Sequence, residues 1–187
     1  PIIGLILLLL VSSCGNSSSQ TKVLVSTPEA LEEAIASAKA GTDIVMANGI
    51  WNDIQIRFAG QGTENAPIRL VAETAGEVII QGDSDLKLGG KHLVVDGLHF
   101  KNGQSPSRAV IGFKIDDDQL AFHSRVTNVV IEGFNKSQRN KTDLWVQFHR
   151  RYNQLDHSYL AGKSNRGPTV RVDLEGNQSI KNHHRIN

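Results

Sequence analysis

The chain has 187 residues, enough for one domain with a substantial buried core. Its 20 lysines and arginines nearly balance its 19 aspartates and glutamates, and the formal net charge of +1 excludes the strongly basic character typical of nucleic-acid-binding proteins. A single cysteine, Cys14, excludes an intrachain disulfide.

The first residues have features of a bacterial export signal. The apolar run from Ile2 to Val11 is too short to span a bilayer, and small residues follow it. The stretch LVSSC resembles a lipobox, so we expect a lipoprotein-type signal over residues 1–13, lipidation of Cys14 and a polar tether over residues 14–22. A chance cysteine after an ordinary signal is the alternative. Because no methionine or basic segment precedes the apolar run, we expect the chain to be clipped at its front.

This signal predicts a protein secreted across the inner membrane of a bacterium. It would stay in the periplasm or on the cell surface as a lipoprotein of the outer membrane. Contact with a membrane is expected only through the lipid anchor.

One helix is predicted, in the stretch STPEALEEAIASAKAGTD. Ser26 or Thr27 acts as the N-cap, and Pro28 follows in the first turn. Glu29 lies three residues after Ser26, as in a capping box. Gly41 is predicted to close the element. Apolar residues recur at helical spacing at Leu31, Ala34, Ile35 and Ala38.

The remainder of the chain reads as short β-strands. Runs rich in Val and Ile are separated by Gly, Asn and Asp, and no further helical stretch is available for crossovers between parallel strands. These patterns leave a sandwich, a barrel or a solenoid. The runs are DIVMANGIW, IQIRFAG, PIRLVAE, EVIIQG, KLGGKHLVVDGLHFKNG and VTNVVIEGF.

A weak internal repeat favours the solenoid. Four segments share an aliphatic residue followed by Asp, Glu or Asn, with steps of 36, 24 and 31 residues (96 to 132, 132 to 156, 156 to 187). Irregular steps of this size are typical of a parallel β-helix whose coils carry loops of varying length. The segments are Val94-Val95-Asp96, Val130-Ile131-Glu132, Gln154-Leu155-Asp156 and Arg185-Ile186-Asn187.

We therefore predict an all-β fold, a parallel β-helix over residues 23–187, with the helix at Pro28 to Lys39 covering the open edge of the first coil. The final HHRIN matches the repeat, so we expect the β-helix to be truncated at the C-terminus. A β-sandwich is the alternative.

Several motifs resemble the polysaccharide lyases of family six, the alginate lyases and chondroitinase B. An LDHSYLAGK stretch spans Leu155 to Lys163, an NRGPT turn spans Asn165 to Thr169, and HHRI spans His183 to Ile186. The stretches GTDIVMANGIWND, APIRL and HLVVDGLHFKNG also look like the first coils of that family. The resemblance covers residues from about Val23 to Asn187.

The resemblance implies a right-handed parallel β-helix that cleaves an acidic polysaccharide by β-elimination. Alginate is the first expectation, and a glycosaminoglycan of the dermatan type is the second. In this family Ca²⁺ neutralises the uronate carboxylate, a lysine removes the C5 proton and an arginine assists the leaving oxygen. Those residues lie on coils after the HHRI element, so we expect neither catalytic residues nor calcium ligands within this chain, and we expect the chain by itself to be inactive.

Four residues are candidate substrate contacts. Lys163 and Arg166 lie in the GKSNRGPT stretch, and His184 and Arg185 lie in HHRI. The cations concentrated after Arg139 suit a polyanionic ligand, although a solvated face explains them equally well. Because neighbours in a strand point to opposite faces, His183 and His184 are not expected to face one ligand.

Two other functions stay open from the sequence. A glycoside hydrolase on the same fold would need a pair of carboxylates flanking the scissile bond. A non-catalytic β-helix would bind carbohydrate at a surface without cleaving it. The sequence does not predict an oligomeric state or choose between mannuronate and guluronate.

Overall fold

A computed structural model describes residues 20–174 and 182–187. Within these residues the chain forms one α-helix and eighteen β-strands. In chain order they are β1 Thr21–Val25, α1 Pro28–Ser37, β2 Thr42–Met46, β3 Gly49–Asn52, β4 Gln55–Gln61, β5 Ile68–Ala72, β6 Val78–Asp83, β7 Asp85–Lys91, β8 Leu93–Asp96, β9 Leu98–Gln104, β10 Ala109–Gly112, β11 Ala121–Phe122, β12 Arg125–Thr127, β13 Val130–Glu132, β14 Leu144–Phe148, β15 Gln154–Asp156, β16 Tyr159–Ala161, β17 Val170–Val172 and β18 Arg185–Ile186.

The strands coil into three parallel sheets. Sheet A has the order β1-β2-β5-β8-β12-β15-β18, sheet B has the order β16-β13-β9-β6-β3, and sheet C has the order β11-β7-β10-β14-β17 with β4 on β7. From β2 onward the chain passes through A, B and C in that order in each turn, and one turn contributes two strands, β10 and β11, to sheet C. Every named strand pair is parallel, so the predicted β-helix is confirmed and the β-sandwich is excluded.

The register corrects the predicted repeat. Val94-Val95-Asp96 pairs with Arg125-Val126-Thr127, which pairs with Gln154-Leu155-Asp156 in sheet A. Val130-Ile131-Glu132 lies instead in sheet B, between β9 and β16. The true steps are 31, 29 and 31 residues (96 to 127, 127 to 156, 156 to 187). The wrong assignment arose because Thr127 breaks the acidic pattern, while the next strand happens to match it.

Inward-facing side chains form continuous columns along the axis of the coil. In sheet A each inward residue lies against its equivalent in the next coil, and all five in the column are at least 96% buried. Phe113 stacks on Phe148 with ring centroids 4.6 Å apart. Burial of such columns is the main stabilising term, at roughly 25 cal/mol per Å² of apolar surface. The sheet A column is Ile44, Leu70, Val95, Val126 and Leu155.

Helix α1 covers the first coil, as predicted. Its N-cap is Thr27, whose Oγ1 accepts from the Ala30 N–H at 3.2 Å. Leu31, Ala34 and Ile35 are buried, and the helix packs against β1, β2 and β4. The predicted stop at Gly41 was wrong, because the helix already ends at Ser37. Gly41, with φ of 86°, instead forms the turn into β2.

The predicted signal over residues 1–13 and the predicted lipidation site Cys14 lie outside the described residues. Strand β1 begins at Thr21, two residues before the predicted start of the domain at residue 23. None of the helices in the described ranges has the length and apolar content needed to cross a membrane.

Candidate substrate-binding surface

Lys163 and Arg166 share the loop that connects β16 to β17. The loop is held down by Asn165, whose Nδ2 donates to the carbonyls of Lys136 and Gln138 at 2.9 Å each. The Lys163 ammonium donates to the Asn165 carbonyl at 3.2 Å and lies 6.0 Å from the centre of the Trp145 ring. Burial lowers the pKa of Lys163, and the charge of Asp143 opposes that shift.

The Arg166 side chain is exposed, whereas its backbone is part of the fold. Its backbone N–H donates to the Arg139 carbonyl at 3.0 Å, and its own carbonyl accepts from the Asp143 N–H at 2.9 Å. Arg166 therefore shapes the turn through its backbone and leaves its guanidinium available at the surface. A role in shaping the turn is therefore compatible with a contact to a ligand.

Asp143 is a fully buried carboxylate under this loop. Neither of its oxygens has a hydrogen-bond partner among the described residues. Burial raises the pKa of Asp143, while the charges of Lys136 and Lys163 act in the opposite direction. Asp143 was not predicted as a site residue, because nothing in NKTDLW distinguishes a buried Asp from one in a solvated loop.

His184 and Arg185 lie at the corner where the chain enters sheet A again. The half-buried His184 ring lies 4.8 Å from the Phe148 ring, and its Nδ1 accepts from the Asn153 N–H at 3.4 Å. Burial lowers the pKa of His184. Arg185 is exposed on β18 and pairs in register with Gln154.

The structure does not bring the four predicted contacts together. Lys163 contacts Trp145, whereas His184 contacts Phe148. Both aromatic residues lie on β14, and three residues along a strand span about 10 Å. Arg185 belongs to sheet A instead. The exposed His183 stacks on Tyr152 with ring centroids 5.2 Å apart, so the two histidines make separate contacts, as expected.

A buried ionic group that was not predicted from the sequence lies on the outer face of sheet C. Asp85 is fully buried, with an Arg57 nitrogen 2.5 Å from Oδ1 and the Lys87 ammonium 3.8 Å from Oδ2. Lys87 also donates to the Ala109 carbonyl at 2.5 Å. Burial is the main cause that lowers the pKa of Lys87 to about 8, and Asp85 opposes it. The alternation in DLKLGGK was the available signal, because it puts Asp85 and Lys87 on the face opposite Leu86 and Leu88.

Residues 25–187 match the chondroitinase B family. The chain belongs to that family. A search of curated proteins finds no significant match.

Solved structures of polysaccharide lyases resemble this member of the chondroitinase B family over most of its length. The family 6 alginate lyase AlyGC is 46% identical over 89% of this chain, with a TM-score of 0.86. A family 6 polysaccharide lyase from Pseudopedobacter saltans is 33% identical over 88% of the chain, with a TM-score of 0.78. A mannuronic acid specific family 6 lyase from human gut microbiota is 25% identical over 89% of the chain, with a TM-score of 0.81.

The chain spans only part of these relatives. It covers 23% of AlyGC, 36% of the Pseudopedobacter saltans lyase and 39% of the gut enzyme.

The outer face of sheet C and the loops before β14 and β17 carry the buried charged groups described above.

Proposed function

We propose that the protein carrying this chain is a polysaccharide lyase that cleaves a uronate-containing polysaccharide, with alginate as the first choice. The observation that supports this most is the 46% identity to an alginate lyase over 89% of the chain. Chondroitinase B-like cleavage of a glycosaminoglycan is the second candidate, because the matching family carries that name.

The reaction we propose is β-elimination. A base removes the proton on C5 of a uronate, the bond from C4 to the leaving oxygen breaks, and the product carries a C4–C5 double bond. Cations near the bound uronate favour this step because its carboxylate must be neutralised before C5 becomes acidic. In this proposal the described coils hold and orient the polyanion, and the base and acid belong to later coils.

We also propose that the whole protein requires Ca²⁺. Within residues 20–174 and 182–187, no group of three or more His, Cys, Asp or Glu side chains is placed to hold a metal ion. The described residues therefore do not fit a calcium site, and nothing assigned to them here depends on one.

The test is to add alginate to the purified whole protein and record the ultraviolet absorbance of the unsaturated product. We expect the absorbance to rise on alginate or, for the second candidate, on dermatan sulfate. New reducing ends without that absorbance would instead identify a glycoside hydrolase. Binding without cleavage of either polymer would identify a non-catalytic carbohydrate-binding protein.

A lipoprotein at the bacterial surface or in the periplasm remains our proposal for location. It rests on the lipobox-like LVSSC, which places Cys14 directly after the small residues of the signal. Labelled palmitate should be incorporated into the protein in a bacterial host and should be lost in Cys14→Ser. Equal labelling of the variant would exclude lipidation at this cysteine.

A further inference from the structure

A pocket of about 320 Å³ opens on the outer face of sheet C, apart from the four residues predicted as substrate contacts. Its floor is a row of in-register residues from three neighbouring strands, in which Gly112 lies between Lys87 and Gln147. We call it the basic pocket. It is lined by Lys87, Arg108, Lys114, Gln147, His149 and Asp173, together with Ser107, Gly112 and Ile115.

Among the described residues, positive charge exceeds negative charge around the basic pocket. Three cations line it, two more pair with carboxylates beside it, and three carboxylates partly neutralise these five. Asp85 pairs with Arg57 and Lys87, Asp117 with Lys114, and Asp173 with Arg171. Arg108 is exposed at the mouth, and among the described residues no carboxylate forms an ion pair with it. The cations are Arg57, Lys87, Arg108, Lys114 and Arg171.

Gly112 makes room for the Lys87 side chain in the floor of the pocket. Its φ is not in the left-handed region, so the backbone of β10 does not require glycine at this position. A Cβ there would lie 3.0 Å from Lys87 Cδ and 3.3 Å from its Nζ. The absence of a Cβ therefore lets the Lys87 side chain, which is 88% buried, lie directly against the backbone of Gly112.

The chemistry of the lining suits an acidic sugar. An arginine donates two parallel hydrogen bonds to a carboxylate. Gln147 and His149 provide polar groups for hydroxyls, and Ile115 offers an apolar surface to a sugar ring. The volume lies at the lower end of ligand pockets, which span about 300–1,000 Å³.

We propose that the basic pocket is a subsite that binds one uronate unit of the polysaccharide, with Arg108 holding its carboxylate. This rests on the proposed function for the class of ligand. It assigns a role to the described coils, whereas the base and the acid are expected on later coils. The subsite adds affinity and position rather than chemistry.

The experiment measures the dissociation constant of saturated oligomannuronate and oligoguluronate by calorimetry, with wild type and three variants. Arg108→Ala removes a cation that pairs with no carboxylate in the described part of the chain, and Gly112→Ala crowds the Lys87 side chain without changing the charge. Lys39→Ala removes an exposed lysine just after α1 as the matched control. We expect roughly ten-fold weaker binding for Arg108→Ala, the usual effect of losing a hydrogen bond to a charged group. Binding should also weaken for Gly112→Ala, because the new methyl group pushes Lys87 out of its place in the floor, and should not change for the control. Carboxyl-reduced oligosaccharides should bind much more weakly than the acids.

Equal affinity of wild type, Arg108→Ala and Gly112→Ala would overturn the subsite, as would equal binding of acidic and carboxyl-reduced sugars or no binding at all. The ultraviolet absorbance of the same samples tests the lyase separately. Cleavage with no effect of Arg108→Ala on affinity leaves the lyase standing without the subsite. Affinity that depends on Arg108, with no unsaturated product from the whole protein, leaves the subsite standing without the lyase.

Discussion

Lys87 and Asp85 form an ionic pair where the protein largely excludes water. Asp85 is completely buried, and it is compensated by the ammonium of Lys87 and by the Arg57 guanidinium. Removing one partner from such a pair lowers the free energy of unfolding by more than the intact pair adds to it, because the remaining charge stays buried without a partner. The lowered pKa of Lys87 shows that burial outweighs the attraction of Asp85.

The lowered pKa of Lys87 predicts a pH dependence of stability. The folded pKa is about 8 and the ordinary value is 10.5, so between these values the unfolded chain binds more protons than the folded one. The free energy of unfolding should therefore rise as pH increases from about 8 to 10.5, by up to about 3 kcal/mol from this residue.

The measurement compares urea unfolding of wild type and Lys87→Met across this pH range. The variant should lose most of the rise, because it no longer carries the titrating group. Lys39→Met, which removes an exposed lysine, should keep the wild-type slope. Parallel curves for wild type and Lys87→Met would contradict the assignment.

Helix α1 covers the apolar core at the first coil. Leu31 is 99% buried and, with Ala34 and Ile35, seals the core at the edge strand β4. Leu31→Ala should lower the free energy of unfolding by about 3 kcal/mol, through lost burial and the cavity left behind.

Denaturant unfolding checks this prediction. Glu32→Ala changes the next residue, which is exposed, and should alter stability by no more than about 0.5 kcal/mol. If both variants lost a similar free energy of unfolding, the loss would come from weaker helix formation and not from the packing of Leu31.

Four aromatic rings from successive coils stack on one another at the corner before sheet A. Successive centroids are 5.1, 4.6 and 5.2 Å apart, and each residue has a positive φ. Non-glycine residues adopt this backbone only when their surroundings favour it. The stack explains why His183 is unsuited to a shared site with His184. Its members are His92, His123, Tyr152 and His183.

At the scale of the whole molecule, the coils repeat one arrangement in which each turn contacts the turns before and after it. Stability of such a fold is approximately a sum over neighbouring coils. Because the described coils have no group of three metal-ligating side chains, chelation should affect the activity of the whole protein without unfolding these coils.

The corresponding prediction uses the whole protein treated with EDTA. Lyase activity should fall at least ten-fold and return with added Ca²⁺, while hydrogen exchange of β5 to β9 should not change. Full activity in EDTA would refute the calcium requirement. Increased exchange in β5 to β9 would show that a metal stabilises the first coils.

Sequence reasoning reached the short strands and the capping helix because their signals are local. The coiling of those strands was predicted from the repeat, one segment of which the structure places in sheet B, and from the family motifs. Strand propensity, the N-cap and the spacing of Leu31, Ala34 and Ile35 depend on residues within a few positions of each other. The motifs from Leu155 to Ile186 likewise carried the family resemblance, which the match over residues 25–187 confirms.

Only the tertiary structure decided which residues meet between coils. Loop lengths set the register, so Arg125-Val126-Thr127, and not Val130-Ile131-Glu132, joins the column of sheet A. The same register brings Lys87, Gly112 and Gln147 into one row across 60 residues of sequence (87 to 147). Local pattern predicts that a strand forms and which side chains it buries. It carries no information on the strand that will lie beside it, because that depends on how each intervening loop closes.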